Sequence, residues 1–299
     1  MLIPFTESFD LSSTLESGQA FRWNKNDESN PEGIQSYTGV IFNNLVKLSH
    51  SSHGIDFSCS PDPESTLKPL IQNYLRLDDD LNVIYKDIGT DDRIKSSIAK
   101  YPGMRLIRQE PWECLISFIC SSNSNIPRIR TNIKDMSKYF GHTISLNNQF
   151  DSTFPTPEEL CEAGEIRLRN LGLGFRAKYV ASTARIIANG EVDLFKLRET
   201  NYEDALEILT SLRGVGDKVA NCVLLFSMDK LDAFPVDVWI GRALGEWYLN
   251  RSCNKLSPKN MRIWAQGRFG SYAGYANQYL FHDRRLLGKS KSYKTSKPS

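Results

Sequence analysis

The feature that most constrains this chain is a glycine-punctuated turn at residues 212–217, which leads directly into a predicted helix. The sequence there reads Leu-Arg-Gly-Val-Gly-Asp. Two glycines around one apolar residue permit a tight turn with positive φ, which residues with side chains resist. Such a turn points N–H groups outward, and the positive end of the following helix strengthens their field. We therefore predict a phosphate-binding hairpin without sequence preference, formed by Arg213, Gly214, Val215 and Gly216.

Two candidate reactive side chains follow this turn in the sequence. Lys218 lies in the first turn of the helix predicted to begin at Asp217. A partly buried amine at the positive end of a helix gives up its proton more readily than an exposed one, so Lys218 is a candidate nucleophile. Asp237 follows Pro235 and Val236 at a second predicted helix start. It is a plausible helix N-cap and a plausible catalytic carboxylate.

Length and charge limit the classes of protein that fit. The 299 residues suffice for roughly two domains with sizeable cores. Because 37 basic residues nearly balance 35 acidic ones, a nucleic-acid footprint must be a local patch. The N-terminus lacks the pattern of a secretory signal, and no apolar run approaches the ~18 residues of a membrane span. We expect an intracellular protein without a membrane segment, nuclear in a eukaryote or cytoplasmic in a prokaryote.

The hydrophobic pattern predicts an α+β fold, with a small antiparallel β-sheet domain followed by a mostly helical region. Short β-rich runs occupy residues 20–23, 37–42 and 45–48, and a turn is expected at Asn43 and Asn44. Helical periodicity begins at Glu64, and the chain from 111 to 287 is almost continuously helical. The predicted units are a β-sheet domain at 1–100, a helical domain at 101–288 and a basic disordered tail at 289–299.

Several motifs carry a resemblance to a known family. Residues 212–237 resemble the helix-hairpin-helix-GPD motif of the base-excision DNA glycosylases, with Lys218 and Asp237 at the signature positions. The segment SGQAFRW at 17–23 is similar to one near the N-terminus of the 8-oxoguanine DNA glycosylases. In that family a glycine carbonyl, matched here by Gly18, accepts a hydrogen bond from N7–H, a proton that oxidised guanine has and guanine lacks. A buried acceptor that faced a lone pair instead would be costly, so this contact discriminates well.

Two further segments resemble the parts of the family that hold DNA after a base is extruded. FICSSNSNIPR at 118–128 implies that Asn123 fills the vacated place and that Arg128 recognises the widowed cytosine. LGLGFRA at 171–177 implies that Phe175 wedges near the opposing base and that Arg176 contacts cytosine. Without the resemblance, the two segments are also typical of an ordinary helix end and of a glycine turn, respectively.

The residues expected to form the base pocket match the family's residues at some positions and differ from them at others. Cys222 is one helical turn after Lys218 and by resemblance lies against one face of the extruded base, with Phe281 on the other. Where the family has a base-reading glutamine this chain has Asn277, which is shorter by one methylene, and Gln278 is next to it. Either the pocket is reshaped or Gln278 contributes. Trp239 stands where eukaryotic members have a phosphate-binding histidine, and it offers one uncharged donor.

The six cysteines form no C-x-x-C pair, so buried free thiols are expected. Some relatives, similar to endonuclease III, carry a four-cysteine iron–sulfur cluster after the motif, but only Cys253 follows it here. The resemblance therefore implies no metal and no cofactor.

The resemblance implies a bifunctional glycosylase and abasic-site lyase that excises 8-oxoguanine opposite cytosine through a lysine Schiff base. Its partner would be double-stranded damaged DNA, bound by a monomer. Two alternatives remain open at this point: a glycosylase of the same superfamily that acts on another damaged purine, and a non-catalytic DNA-binding protein that uses only the hairpin.

Overall fold

The computed structural model describes residues 1–26, 34–249 and 256–295, with residues 288–295 described by their backbone alone. Cys253 lies outside the described residues. No helix within those described ranges is long and apolar enough to cross a membrane.

The N-terminal part is built on one antiparallel sheet of five strands in the order β1-β5-β4-β3-β2. The bounds of the strands are Leu2–Pro4 (β1), Asn24–Lys25 (β2), Ser36–Ile41 (β3), Asn44–Ser51 (β4) and Gly54–Ser60 (β5). The β3–β4 hairpin pairs Ile41 with Asn44, and Phe42 and Asn43 between them have φ of 47° and 63°. Positive φ at both central residues is the geometry that follows strand twist in a two-residue hairpin. The turn thus lies one residue earlier than predicted.

The strand predicted at residues 20–23 is wrong, because this segment has no regular structure. Its apolar side chains enter two different cores. Phe21 packs in the core of the helical region, whereas Trp23 packs in the core under the sheet and donates from Nε1 to the Tyr74 hydroxyl at 2.9 Å. The segment whose alternating pattern suggested a strand is instead a short connection between the two cores.

The remainder of the described chain is largely helical, apart from a hairpin of two short strands, Thr143–Leu146 (β6) and Gln149–Ser152 (β7). The helices are Leu11–Glu16 (α1), Glu64–Tyr74 (α2), Leu81–Ile88 (α3), Asp92–Lys100 (α4), Pro111–Cys120 (α5), Ile126–Phe140 (α6), Pro157–Leu168 (α7), Ala177–Ala188 (α8), Leu194–Glu199 (α9), Tyr202–Ser211 (α10), Asp217–Ser227 (α11), Val238–Trp247 (α12), Pro258–Phe269 (α13) and Ala273–Thr295 (α14). The α+β fold class is confirmed.

The division of the chain near residue 100 stays a prediction. Helices α3 and α4 precede that point, but Leu81 and Ile94 pack in the larger helical core. The basic tail predicted from 289 starts within the last turns of α14, whose backbone is helical to Thr295. Residues 296–299 lie outside the described residues, and the tail's disorder also stays a prediction.

Helix packing brings distant segments to one place. Helix α11 packs against α5 and α10, and α14 packs against α12 and α4. The C-terminal end of α5, the first turns of α11 and α12 and the middle of α14 therefore surround one cavity, which Gly18 in the turn after α1 also lines.

Candidate active site

A cavity of about 1500 Å³ lies between these helix ends. Trp239 lines it, and so do eight of the candidate site residues predicted from the sequence: Gly18, Asn123, Lys218, Cys222, Asp237, Asn277, Gln278 and Phe281. They come from five separate stretches of the chain. The cavity is therefore where both candidate catalytic groups and all candidate base-recognition residues meet.

Lys218 lies in the first turn of α11, as predicted. Its Nζ donates to the Ser121 hydroxyl at 2.8 Å and lies 5.2 Å from the centroid of the Phe118 ring. Ser121 in turn donates to the Phe118 carbonyl at 2.6 Å. Within the described part of the chain, no carboxylate forms an ion pair with Lys218. The amine is thus held at the cavity wall by a neutral acceptor.

Asp237 is the N-cap of α12, as predicted, and its Oδ1 accepts from the Ile240 amide at 2.8 Å. Burial raises the pKa of this carboxyl, while the Ile240 hydrogen bond and the charge of Lys218 oppose that rise. The two helix starts therefore place an amine and a carboxylate on the same cavity, electrostatically coupled to each other.

Cys222 is 3% exposed and follows Lys218 by one turn. Burial raises the pKa of its thiol to about 11, although the nearby Lys218 charge lowers it in part. Because the thiol remains protonated at neutral pH, it offers the cavity a soft apolar surface and not a thiolate nucleophile.

Gly18 has a φ of +88° and faces the cavity from the turn after α1. A Cβ placed on it would lie 3.1 Å from Ile126 Cδ1 and 3.5 Å from Phe281 Cε1. Both the backbone conformation and the space thus require glycine. Phe281, on α14, also lines the cavity and lies next to Gly18.

Asn277 and Gln278 are both buried, at 3% exposure, and both use their amide donors on the protein. Asn277 Nδ2 donates to the Pro235 carbonyl at 2.9 Å, which braces the turn before Asp237. Gln278 Nε2 donates to the Ser17 carbonyl at 3.3 Å, which braces the turn at Gly18. Each of these two amides thus braces a turn that carries a candidate site residue.

The predicted hairpin is present, with Arg213 and Gly216 exposed. Gly214 has a φ of +89°, and a Cβ there would lie 2.4 Å from Cγ of Tyr179, so an aromatic ring packs against the bare glycine. Gly216 is extended and is the N-cap of α11 without a side-chain hydrogen bond. The first N–H groups of α11 are therefore not capped by that residue, as an anion site requires.

The candidate DNA-contacting residues of the 118–128 and 171–177 segments lie together beside the cavity. Asn123 is exposed, with a φ of +49°, and its carbonyl accepts from Arg176 Nη2 at 2.6 Å. Arg176 is 4% exposed and stacks 4.6 Å from the ring of Phe175, which is 42% exposed. Arg128 is exposed and donates to the Gly172 carbonyl at 2.8 Å. Arg176 thus holds the Asn123 turn, and its contact with cytosine stays a prediction.

Sequence reasoning missed three residues that line the cavity: Ser121, His282 and Arg285. Ser121 lies within the segment recognised in the sequence. Arg285 follows Phe281 by four residues, so helical spacing could have placed both on one face. Among the described residues, no group of three or more His, Cys, Asp or Glu side chains is arranged to hold a metal ion.

Comparison with known proteins adds a second line of evidence. Residues 2–115 match the family model described as 8-oxoguanine DNA glycosylase, N-terminal domain. Residues 116–266 match the HhH-GPD superfamily base excision DNA repair protein model.

Individual relatives span nearly the whole chain. An N-glycosylase/DNA lyase of Saccharomyces cerevisiae is 31% identical over 95% of this chain and 85% of its own length. An Arabidopsis thaliana relative, N-glycosylase/DNA lyase OGG1, is 32% identical over 91% of this chain and 76% of its own. The Clostridium acetobutylicum 8-oxoguanine glycosylase/lyase, solved in complex with dsDNA containing cytosine opposite 8-oxoG, superposes with a TM-score of 0.87 at 32% identity, covering 96% of this chain and 98% of that one.

Proposed function

The chain belongs to the 8-oxoguanine DNA glycosylase/lyase family of the HhH-GPD superfamily, and from this we infer that it excises 8-oxoguanine from DNA and then cleaves the strand. It is a DNA N-glycosylase with abasic-site lyase activity. The observation that carries the proposal is that the Lys218 amine and the Asp237 carboxylate line the same cavity and influence each other electrostatically.

The extruded base enters the cavity between the Cys222 thiol and the Phe281 ring, two surfaces that suit a flat aromatic ring. Gly18 accepts from N7–H of the oxidised purine through its backbone carbonyl. Guanine presents a lone pair at N7, so it would leave this buried acceptor unpaired and bind less well. This contact is the proposed source of discrimination against the normal base.

Lys218 supplies the nucleophile. Its neutral amine attacks C1′ of the sugar, and the C1′–N9 bond breaks with its electron pair leaving on the base, which is protonated. Opening of the sugar ring gives an imine between Nζ and C1′. The imine acidifies the C2′ proton; its removal and loss of the 3′ phosphate by β-elimination cleave the strand. A glycosylase without lyase activity needs only water, so a lysine at this position supports the bifunctional mechanism.

Asp237 acts electrostatically in this proposal. The sugar gains positive charge as the base leaves, and an ionised carboxylate fixed at a helix start stabilises that charge without reorganising. Because its Oδ1 is already held by the Ile240 amide, the carboxylate is preorganised by the fold.

Double-stranded DNA is bound by the hairpin and by the 118–128 and 171–177 segments. The hairpin residues Arg213, Gly214, Val215 and Gly216 bind a backbone phosphate, which makes affinity sensitive to salt. Asn123 fills the vacated place in the stack, Phe175 wedges beside it, and Arg128 and Arg176 recognise the widowed cytosine. We further propose that the protein acts as a monomer within the compartment that holds the DNA.

A second candidate, excision of a different damaged purine by the same chemistry, is favoured by one observation. Asn277 replaces the family's glutamine and its amide donor is engaged by the Pro235 carbonyl. A change in the reading of the base edge would alter the lesion that fits. The non-catalytic alternative is weakened by the presence of both Lys218 and Asp237 on one cavity.

The experiment is a strand-cleavage assay on duplexes that are identical except for one residue: 8-oxoguanine, guanine, 3-methyladenine or an abasic site, each opposite cytosine or thymine. The proposal predicts cleavage at 8-oxoguanine opposite cytosine and at the abasic site, and none at guanine. Release of 3-methyladenine without action on 8-oxoguanine would support the second candidate. Binding without cleavage of any duplex would contradict both.

A further inference from the structure

Arg285 lies on α14, one turn after Phe281, and its side chain lines the cavity. Its Nη2 donates to the Glu16 carbonyl at 2.5 Å. Its Nη1 lies 3.8 Å from the position that a Cβ on Gly18 would occupy, and its guanidinium carbon is 6.0 Å from the centroid of the Phe281 ring. The cation therefore lies beside Gly18 and Phe281, two of the residues that are proposed to hold the extruded base.

Two donors of this guanidinium remain without an acceptor. Nε is buried with no hydrogen-bond partner. In the part of the chain that the structure describes, Nη1 makes no hydrogen bond and no carboxylate forms an ion pair with Arg285. Its neighbour His282 approaches Nη2 at 3.4 Å. Charged groups usually leave water only when they are paired. An uncompensated cation in a cavity wall favours a ligand that brings an acceptor.

The charges around Arg285 strengthen this preference. Arg130 lines the same wall, and burial together with the Arg130 charge lowers the pKa of Arg285. The acidic contribution comes from Glu16, which is exposed at the surface. Arg285 and Arg130 together with the one carboxylate of Glu16 leave this group of side chains with one excess formal positive charge, which suits an electronegative edge.

The edge of the base that distinguishes oxidised guanine from guanine carries such electronegative atoms. Its N7–H lies between two exocyclic oxygens, O8 and O6, so a donor next to the acceptor for N7–H faces one of them. Asn277 and Gln278 each already commit one amide N–H to Pro235 and Ser17, whereas Nη1 of Arg285 makes no hydrogen bond within the described residues. We propose that Arg285 donates a hydrogen bond from Nη1 to an exocyclic oxygen flanking N7 of the extruded oxidised purine. Arg285 is then a specificity-determining residue, an assignment that rests on the proposed function.

The test compares Arg285→Met with Arg284→Met under single-turnover conditions. Arg284 is the matched control because it is the preceding residue of α14, pairs with Glu246 at 2.7 Å and does not line the cavity. Loss of a charged hydrogen bond to the base predicts a rate of 8-oxoguanine excision about 10- to 100-fold lower for Arg285→Met. Cleavage at a preformed abasic site, where no base is present, is expected to stay at the wild-type rate for both variants.

Base analogues separate a direct contact from an indirect effect on the Gly18 turn. 2-Amino-8-oxopurine lacks O6, and 8-thioguanine replaces O8 with a weakly accepting sulfur, while both retain N7–H. A direct contact predicts that the loss caused by Arg285→Met shrinks on one analogue, which identifies the oxygen. An equal loss on all three bases, a loss at the abasic site, or no loss at all would overturn the proposal. Failure of the wild-type protein to excise 8-oxoguanine would instead overturn the proposed function.

Discussion

The Lys218 amine is hydrogen-bonded to the Ser121 hydroxyl at 2.8 Å, and the serine directs its own proton to the Phe118 carbonyl at 2.6 Å. The serine oxygen is therefore an acceptor towards the lysine, with its orientation fixed by the end of α5. This arrangement holds the amine in place while leaving its lone pair, once deprotonated, free to face the cavity.

Ser121→Ala should slow imine formation without preventing folding. Loss of one hydrogen bond of about 1 kcal/mol predicts a rate of covalent adduct formation roughly 5- to 10-fold lower, because the lysine samples more positions. The measurement is the single-turnover rate of adduct formation on abasic DNA, followed over a range of pH. Ser122→Ala is the control, since the Ser122 hydroxyl makes no hydrogen bond within the described residues. Equal rates for the two variants would contradict the positioning role.

Asp237→Asn should preserve the fold and remove the catalysis. Asparagine caps a helix about as well as aspartate, so the hydrogen bond from the Ile240 amide is retained and the melting temperature should stay close to that of the wild type. Removal of the fixed negative charge predicts a loss of about 100- to 1000-fold in the rate of base excision. A wild-type excision rate in a well-folded Asp237→Asn protein would show that the carboxylate has only a capping role.

Gly18→Ala should reduce the excision of 8-oxoguanine while sparing the lyase step. The added methyl would meet Ile126 Cδ1 at 3.1 Å and intrude between Gly18 and Phe281. Positive φ at a non-glycine residue costs about 1–2 kcal/mol of stability. Gly190→Ala incurs the same kind of strain at φ +71° with nothing within 4 Å, so it is the matched control. Chemical denaturation should show similar stability losses for both, with excision of 8-oxoguanine reduced only in Gly18→Ala.

Much of this site was predictable because its chemistry is local. The starts of α11 and α12 follow from Gly-Val-Gly before Lys218 and from Pro-Val before Asp237, and both helices begin where the sequence predicts. The Gly18 conformation likewise reflects the residue type itself. Short-range backbone preferences carry such information, since glycine, proline and capping residues each favour few conformations.

Contacts between distant segments could not be read from the sequence. Ser121 and Lys218 are 97 residues apart, and Arg285 reaches a carbonyl 269 residues before it. These contacts depend on how α5, α11 and α14 pack, and the spacing of residues in the sequence does not reveal that packing. The prediction of a strand at residues 20–23 is wrong for the same reason. Phe21 and Trp23 pack in two separate cores, and the sequence pattern does not show this.

Stability should fall in mild acid because of His282. Burial, reinforced by the Arg285 charge, lowers the pKa of this imidazole from 6.5 to about 4. Between these values the unfolded chain takes up a proton that the folded chain does not, so the free energy of unfolding decreases as pH falls from about 6.5 to about 4, by up to about 3 kcal/mol. The check is urea denaturation at several pH values. His282→Gln should lessen the pH dependence.

The most direct test of the central claim is borohydride trapping on duplex DNA that carries 8-oxoguanine opposite cytosine, with wild type and Lys218→Gln compared. Borohydride reduces an imine to a stable amine, so it records the covalent intermediate itself. We expect a protein–DNA adduct with the wild type, and none with Lys218→Gln although that variant still binds the duplex. An adduct that persists in Lys218→Gln, or no wild-type adduct on either this duplex or abasic DNA, would contradict it.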